Sequence, residues 1–247
     1  MPNDSSGITL KNVYAGYRGA DIVKDINLSF PSGEITVILG ENGSGKTTLL
    51  KAMAGLIPYR GSITVKGREL SSLSSKERAA NIAMLSQMNS AYFSYTVEET
   101  VRMGRYRFHT GIFSGTTGDD RRRVEECLKE ADIYSIRDSR IGELSGGQLQ
   151  RVYLASMFAQ DSDFIFLDEP TNHLDLKYRA RLEKRLQGSQ RSVIAVYHDI
   201  RAALKMAHLV VLLKDGRVIM AGTPSEITES GALNEAFSMD VSEYLEL

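Results

Sequence analysis

Residues Gly40 to Thr47 read GENGSGKT, and this octapeptide restricts the chain more than any other feature of it. Glycines at that spacing let successive backbone N–H groups curl around phosphate oxygens, while Lys46 adds a point charge and the Thr47 hydroxyl a ligand for Mg²⁺. The flanks agree. Ile35 to Leu39 is a β-branched run suited to a buried strand, and Lys46 to Ala54 reads as a helix stopped by Gly55. The order strand, glycine loop, helix sets a helix N-terminus against the phosphates. A glycine-rich turn between an unrelated strand and helix is the competing reading.

Two later segments weigh against that alternative. Phe164 to Leu167 is an apolar strand closed by Asp168 and Glu169. The first carboxylate could hold Mg²⁺ through water opposite Thr47, and the second could orient or deprotonate an attacking water, because phosphoryl transfer depends on positioning and electrostatics. Taken alone, two acids before Pro170 read equally well as a helix start. Upstream, Ser145-Gly146-Gly147-Gln148 fits a capping box, so Leu144 to Gln148 (LSGGQ) belongs at a helix N-terminus whose N–H groups form a second anion site.

At 247 residues the chain accommodates one α/β domain, or a core with a subdomain, but not tandem nucleotide domains. Lys plus Arg is 30 against 31 for Asp plus Glu, so no nucleic-acid partner is expected, and Arg121-Arg122-Arg123 reads as a solvated helix face. The lone Cys127 cannot form an internal disulfide, which points to a reducing, cytosolic compartment. The polar start, Met1 to Gly7, lacks the regions of a signal peptide. Apolar stretches such as Leu209 to Leu213 are strand-sized, far short of the roughly 20 residues that span a bilayer, so any membrane role runs through a partner.

Alternation and turns from Ile8 to Phe30, broken at Pro31-Ser32-Gly33, suit an antiparallel sheet. Strands follow at Gly61 to Gly67 and Ile82 to Leu85, with a short helix at Ser75 to Ala80 between them. Helical signals dominate from Thr96 to Gln160, at Val97 to Arg102, Asp119 to Ala131 and after Leu144. The strand pattern resumes at Phe164 to Leu167, Ser192 to Tyr197 and Leu209 to Leu213. Lys214-Asp215-Gly216-Arg217 is a hairpin signal leading into Val218 to Ala221, and the tail from Thr223 reads as a small helical cap.

With these motifs in this order, the chain resembles the ATP-binding subunit of an ATP-binding cassette transporter from about Ile8 to about Pro224. The resemblance implies a P-loop NTPase (RecA-like) α/β core with an N-terminal antiparallel β subdomain and an inserted α-helical subdomain. It places the core at 1–87 and 161–247 and the helical part at 88–160. It implies ATP bound by Tyr17, Gly40, Glu41, Asn42, Gly43, Ser44, Gly45, Lys46, Thr47 and Thr48, with Tyr17 stacked on adenine unless it is only a half-buried strand tyrosine. Thr47, Gln87 and Asp168 would serve Mg²⁺, although Ser86 stands before Gln87 where many relatives carry proline. Glu169, His198, Gln87 and Lys46 would be catalytic. Ser145, Gly146, Gly147 and Gln148 would contact ATP held by a second copy, and Asp175 would join the two sites across that homodimer. His173 and His208 remain structural.

Further likeness, in Thr96-Val97-Glu98-Glu99, Met103-Gly104-Arg105-Tyr106 and Thr171 to Leu176, is to importers of iron–siderophore, haem or cobalamin. It implies permease subunits docked on the helical part, a periplasmic or extracellular substrate-binding protein, and a place on the cytoplasmic face of the membrane. The docking surface is expected within Met88 to Arg107, through Tyr92, Phe93, Tyr95, Arg102, Arg105 and Tyr106. The alternatives are another importer or exporter of this family, for example for divalent metal, and a soluble cassette ATPase. An unrelated P-loop kinase or GTPase has no use for LSGGQ or His198.

Overall fold

Two sheets share the work of the fold. In the computed structural model, which describes residues 6–86, 94–108 and 117–241, β1 (Ile8–Tyr17) and β2 (Ala20–Phe30) form an antiparallel hairpin. Its tip, Arg18-Gly19, has φ of 53° and 83°, the left-handed pair that a two-residue hairpin turn needs. After β3 (Ile35–Leu39) and α1 (Lys46–Met53), the chain adds β4 (Tyr59–Val65) and β5 (Arg68–Glu69), which complete a four-stranded sheet in the order β2-β1-β4-β5. Then come α2 (Ser75–Asn81), β6 (Ile82–Leu85), α3 (Val97–Met103), α4 (Gly118–Glu130) and α5 (Gly146–Ala159).

The second sheet gathers β3 and β6 with β7 (Phe164–Asp168), β8 (Ser192–Val196), β9 (Leu209–Lys214) and β10 (Arg217–Gly222) in the order β10-β9-β3-β8-β7-β6, parallel except for the β9–β10 hairpin. Every residue of β3, β7 and β8 is buried, as expected of strands covered on both faces. Alternation sends Ile35, Val37, Leu39, Ile165 and Leu167 to the layer packed by α3, α4 and α5. Ile38, Phe164 and Phe166 go instead to the layer of α1 and the antiparallel sheet. Three more features close the fold: α6 (Leu176–Gln187), α7 (Ile200–Met206), and the tail helices α8 (Pro224–Glu229) and α9 (Ala232–Phe237). Neither α6 nor α7 is among the helices expected from the sequence pattern. In α6 only Tyr178, Leu182 and Leu186 are buried, a narrow stripe in an otherwise charged segment.

Arg105 requires a correction. Sequence placed it on a docking surface, but only 7% of it is exposed. Its Nε donates to Asp120 Oδ1 at 2.9 Å, its Nη1 donates to the Ala159 carbonyl at 2.9 Å at the end of α5, and its guanidinium lies over the Phe108 ring. A cation that satisfies a last-turn carbonyl is favoured there by the helix dipole. Asp120 also closes the Thr117 capping box of α4. Tyr92, Phe93 and Gln87 lie outside the described residues, whereas Tyr95 and Tyr106 are exposed.

Burial alone pushes the Asp120 carboxyl up, but the Thr117 hydroxyl and the Arg105 guanidinium outweigh it and hold the group below the usual aspartate value. A depressed carboxylate stabilises the fold above its unfolded pKa of about 3.9 and loses that contribution as pH falls through the folded value. Arg105→Ala, which strands a buried carboxylate and a carbonyl, is expected to cost about 3 kcal/mol in urea unfolding near neutral pH, with a smaller loss at acid pH, and Arg105→Lys should recover only part of it. An unchanged urea midpoint would show the pair to be structurally idle.

Candidate active site

The carboxyl ends of β3, β7 and β8 lie side by side, because β8 pairs with both β3 and β7 in parallel register. The loops that leave them therefore converge. After β3, the glycine loop turns at Gly40, Gly43 and Gly45, with φ of 151°, 82° and 102°. A Cβ on Gly40 would sit 2.1 Å from the Leu213 carbonyl oxygen, so no other residue fits. Lys46, only 6% exposed, folds back and donates to the Gly40 and Glu41 carbonyls at 2.8 and 2.7 Å. Burial lowers its pKa, while the charges of Glu169 and Asp168 act in the opposite sense. Among the described residues the buried Ser44 Oγ has no hydrogen-bond partner, an orphan polar atom in a loop of backbone donors. That arrangement fits a polyphosphate.

Asp168, only 2% exposed, ends β7 and accepts from the Thr47 hydroxyl at 3.0 Å. Burial raises its pKa, helped by the charge of Glu169 and opposed by the Thr47 bond. A hydroxyl and a buried carboxylate beside a phosphate cradle are hard oxygen donors of the kind Mg²⁺ takes together with phosphates and water.

Glu169 follows at φ 53°, a strained conformation for a residue with a side chain. It is held from both sides. Its N–H donates to the Val196 carbonyl at 3.1 Å, its Oε1 meets His198 Nε2 at 2.5 Å, and its Oε2 accepts from Asn172 Nδ2 at 2.6 Å. Asn172 was missed as a site residue in the sequence reading; its only signal there was its place three residues after Glu169. His208 is structural, its Nδ1 accepting from the Ile35 N–H at 3.0 Å.

The LSGGQ signature, Leu144 to Gln148, lies at the start of α5. Ser145 accepts from the Gln148 N–H at 3.3 Å, and Gln148 Oε1 accepts from the Ser145 N–H at 2.9 Å. It packs on the loop after Glu169: a Cβ on Gly147 would lie 2.8 Å from the His173 carbonyl oxygen, and Gln150 donates to the Pro170 carbonyl. Asp175 caps α6 through the Tyr178 N–H at 2.7 Å. Among the described residues no hydrogen bond joins Ser145–Gln148 to Gly40–Thr48. Tyr17, 42% exposed, stands at the hairpin tip.

A family model described as ABC transporter matches residues 23–172, more than half of the chain. The chain belongs to the ABC transporter family. This ABC ATPase is 36% identical over 240 residues to the probable siderophore transport system ATP-binding protein YusV of Bacillus subtilis, covering 95% of this chain and 87% of that protein. It is 34% identical to the petrobactin import ATP-binding protein YclP of the same organism, over 95% and 94% of the two chains. The hemin import ATP-binding protein HmuV of Pseudomonas putida is 34% identical over 95% and 93%. Among solved structures, an ATP-binding subunit of an ABC transporter shares the fold, with a TM-score of 0.81 at 24% identity over 94% and 96% of the two chains. A dimeric post-hydrolysis ATP-binding cassette bound to ADP and Pi gives a TM-score of 0.77 at 28% identity over 88% and 98%.

The left-handed backbone at Glu169 gives a test that separates strain from chemistry. Both Glu169→Ala and Glu169→Gly remove the carboxylate, but only glycine adopts φ 53° without a Cβ penalty. The glycine variant should be the more stable by about 1 kcal/mol in urea titrations; equal midpoints would mean that the position carries no strain.

Proposed function

We propose that the chain is the ATP-hydrolysing subunit of an importer of ferric chelates, siderophore or haem. The observation that carries the hydrolytic part is Glu169, clamped by His198 and Asn172 immediately after the Thr47–Asp168 pair. In this reading the loop N–H groups and Lys46 take the β- and γ-phosphates once Lys46 leaves its own carbonyls, and Tyr17 offers its ring to adenine. Glu169 orients the attacking water and receives its proton, with His198 placed to hydrogen-bond the γ-phosphate. Thr47, Asp168 and Gln87 would hold Mg²⁺, which when bound neutralises charge on the phosphate oxygens. The names of the relatives, siderophore, petrobactin and hemin import proteins, support the choice of cargo.

Because no hydrogen bond among the described residues joins Ser145–Gln148 to the phosphate loop of its own chain, we assign it to the ATP of a second copy. Two chains then enclose two nucleotides, with Asp175 near the seam. The dimeric cassette among the structural neighbours supports this arrangement. No helix among the described residues is long and apolar enough to cross a membrane, so coupling to transport falls to permease subunits at the cytoplasmic face, supplied by a substrate-binding protein on the other side. The 88–160 region is the proposed docking element.

Lys46→Ala should weaken ATP binding about tenfold or more, the loss of a charge-assisted contact. Glu169→Gln should bind normally and lose about a hundredfold or more in turnover, the scale of a lost general base. The same variant at saturating ATP should double its mass in light scattering. Near-normal phosphate release by Glu169→Gln would refute the base assignment, and a persistent monomer would refute the shared site.

With Arg105 buried, the exposed rings are the better docking candidates, and Tyr106 is 80% exposed. Tyr106→Asp should lower chelate uptake in vesicles reconstituted with the permease while the isolated subunit keeps its ATPase rate. Normal uptake would move the docking surface elsewhere.

A further inference from the structure

The Asp215-Gly216 turn between β9 and β10 reaches the phosphate loop. Asp215 and Gly216 have φ of 49° and 80°, the pair a type I′ turn requires. The Gly216 N–H donates to the Ser44 carbonyl at 3.0 Å, and the Gly216 carbonyl accepts from the Lys24 N–H of β2 at 2.8 Å. A Cβ on Gly216 would lie 1.9 Å from the Ile22 carbonyl oxygen and 3.4 Å from the Val23 Cα. Only a residue without a side chain brings the turn this close to β2 and the loop together.

The consequence lies one bond further on. A trans peptide carries its C=O and N–H on opposite sides of one plane. Once the Ser44 carbonyl is drawn to Gly216, the N–H of the same peptide, that of Gly45, points away from the turn, and it donates to no acceptor among the described residues. Gly45 holds φ 102° against the methyls of Ile22 and Val23, 3.5 and 3.4 Å from where its Cβ would be, so β2 backs the same peptide from behind.

We infer that Gly216 is a positioning residue for nucleotide phosphate: its N–H anchors the Ser44 carbonyl and thereby aims the Gly45 N–H at the bound anion. The inference rests on the nucleotide reading of the Gly40–Thr47 loop. It also makes Gly216 the joint between the phosphate loop and β2, whose first residue, Ala20, pairs with Tyr17. A shift of this turn therefore disturbs the phosphate cradle and the proposed adenine platform together.

The test uses the full chain, with Gly216→Ala, a variant carrying one glycine inserted between Asp215 and Gly216, and Asp215→Asn as the conservative control that keeps a type I′ turn. Affinity is read by fluorescence titration with a methylanthraniloyl-labelled ATP, and KM and kcat by phosphate release. Both disruptive variants should raise Kd and KM about tenfold, the loss of one hydrogen bond to a charged group, with kcat at saturation within about threefold of wild type. Asp215→Asn should match wild type. Should Gly216→Ala fail to fold, hydrogen exchange on the wild-type protein decides: the Gly216 amide should be protected, unlike a free turn amide. A folded insertion variant with unchanged KM, losses confined to kcat and thermal stability, or rapid exchange at Gly216 would overturn the assignment. Failure of the wild-type protein to bind the labelled nucleotide would overturn the nucleotide reading itself, and this inference with it.

Discussion

The placement of β8 between β3 and β7 is the constraint on which the rest depends. Parallel register on both sides brings three strand ends to one edge of the sheet, the usual place for ligands in open α/β sheets. Thr47 and Asp168, 121 residues apart, then meet in a 3.0 Å hydrogen bond. Glu169 lies against His198 because one leaves β7 and the other β8. Without that strand order the same motifs would be separate loops.

Desolvation sets the electrostatics of this edge. Burial lowers the Lys46 pKa and raises that of Asp168, so in both cases the charged form is disfavoured by loss of water. The loop answers with its own carbonyls around Lys46 and the Thr47 hydroxyl at Asp168. A polyphosphate and its cation are of the signs these two groups want. Glu169, by contrast, stores its cost in the backbone at φ 53°, a pattern common where a side chain must be aimed rather than merely buried.

Much of this was legible in the residues. The all-buried strands announced themselves as short apolar runs, β-branched in β3 and aromatic-rich in β7, and the capping boxes at Ser74, Thr96, Thr117, Ser145 and Thr223 formed where hydroxyl and acid or amide stand three apart. What escaped was set by distant partners. Arg105 looks like a surface arginine until Asp120 and the end of α5 enclose it. The α6 stripe is too narrow to separate from a charged loop, and Asn172 is one more turn residue until its amide is seen on Glu169.

The sequence by itself determined the phosphate loop, the paired acids at the end of an apolar strand and the signature at a helix N-terminus, because spacing and side-chain chemistry act locally through backbone N–H groups and caps. Only the tertiary structure decided which of these residues meet. It brought Thr47 to Asp168 and Glu169 to His198 and Asn172, left Ser145–Gln148 without a hydrogen bond to Gly40–Thr48 among the described residues, and set a hairpin glycine against Ser44. Those outcomes follow from strand order and close backbone packing, which no local pattern encodes.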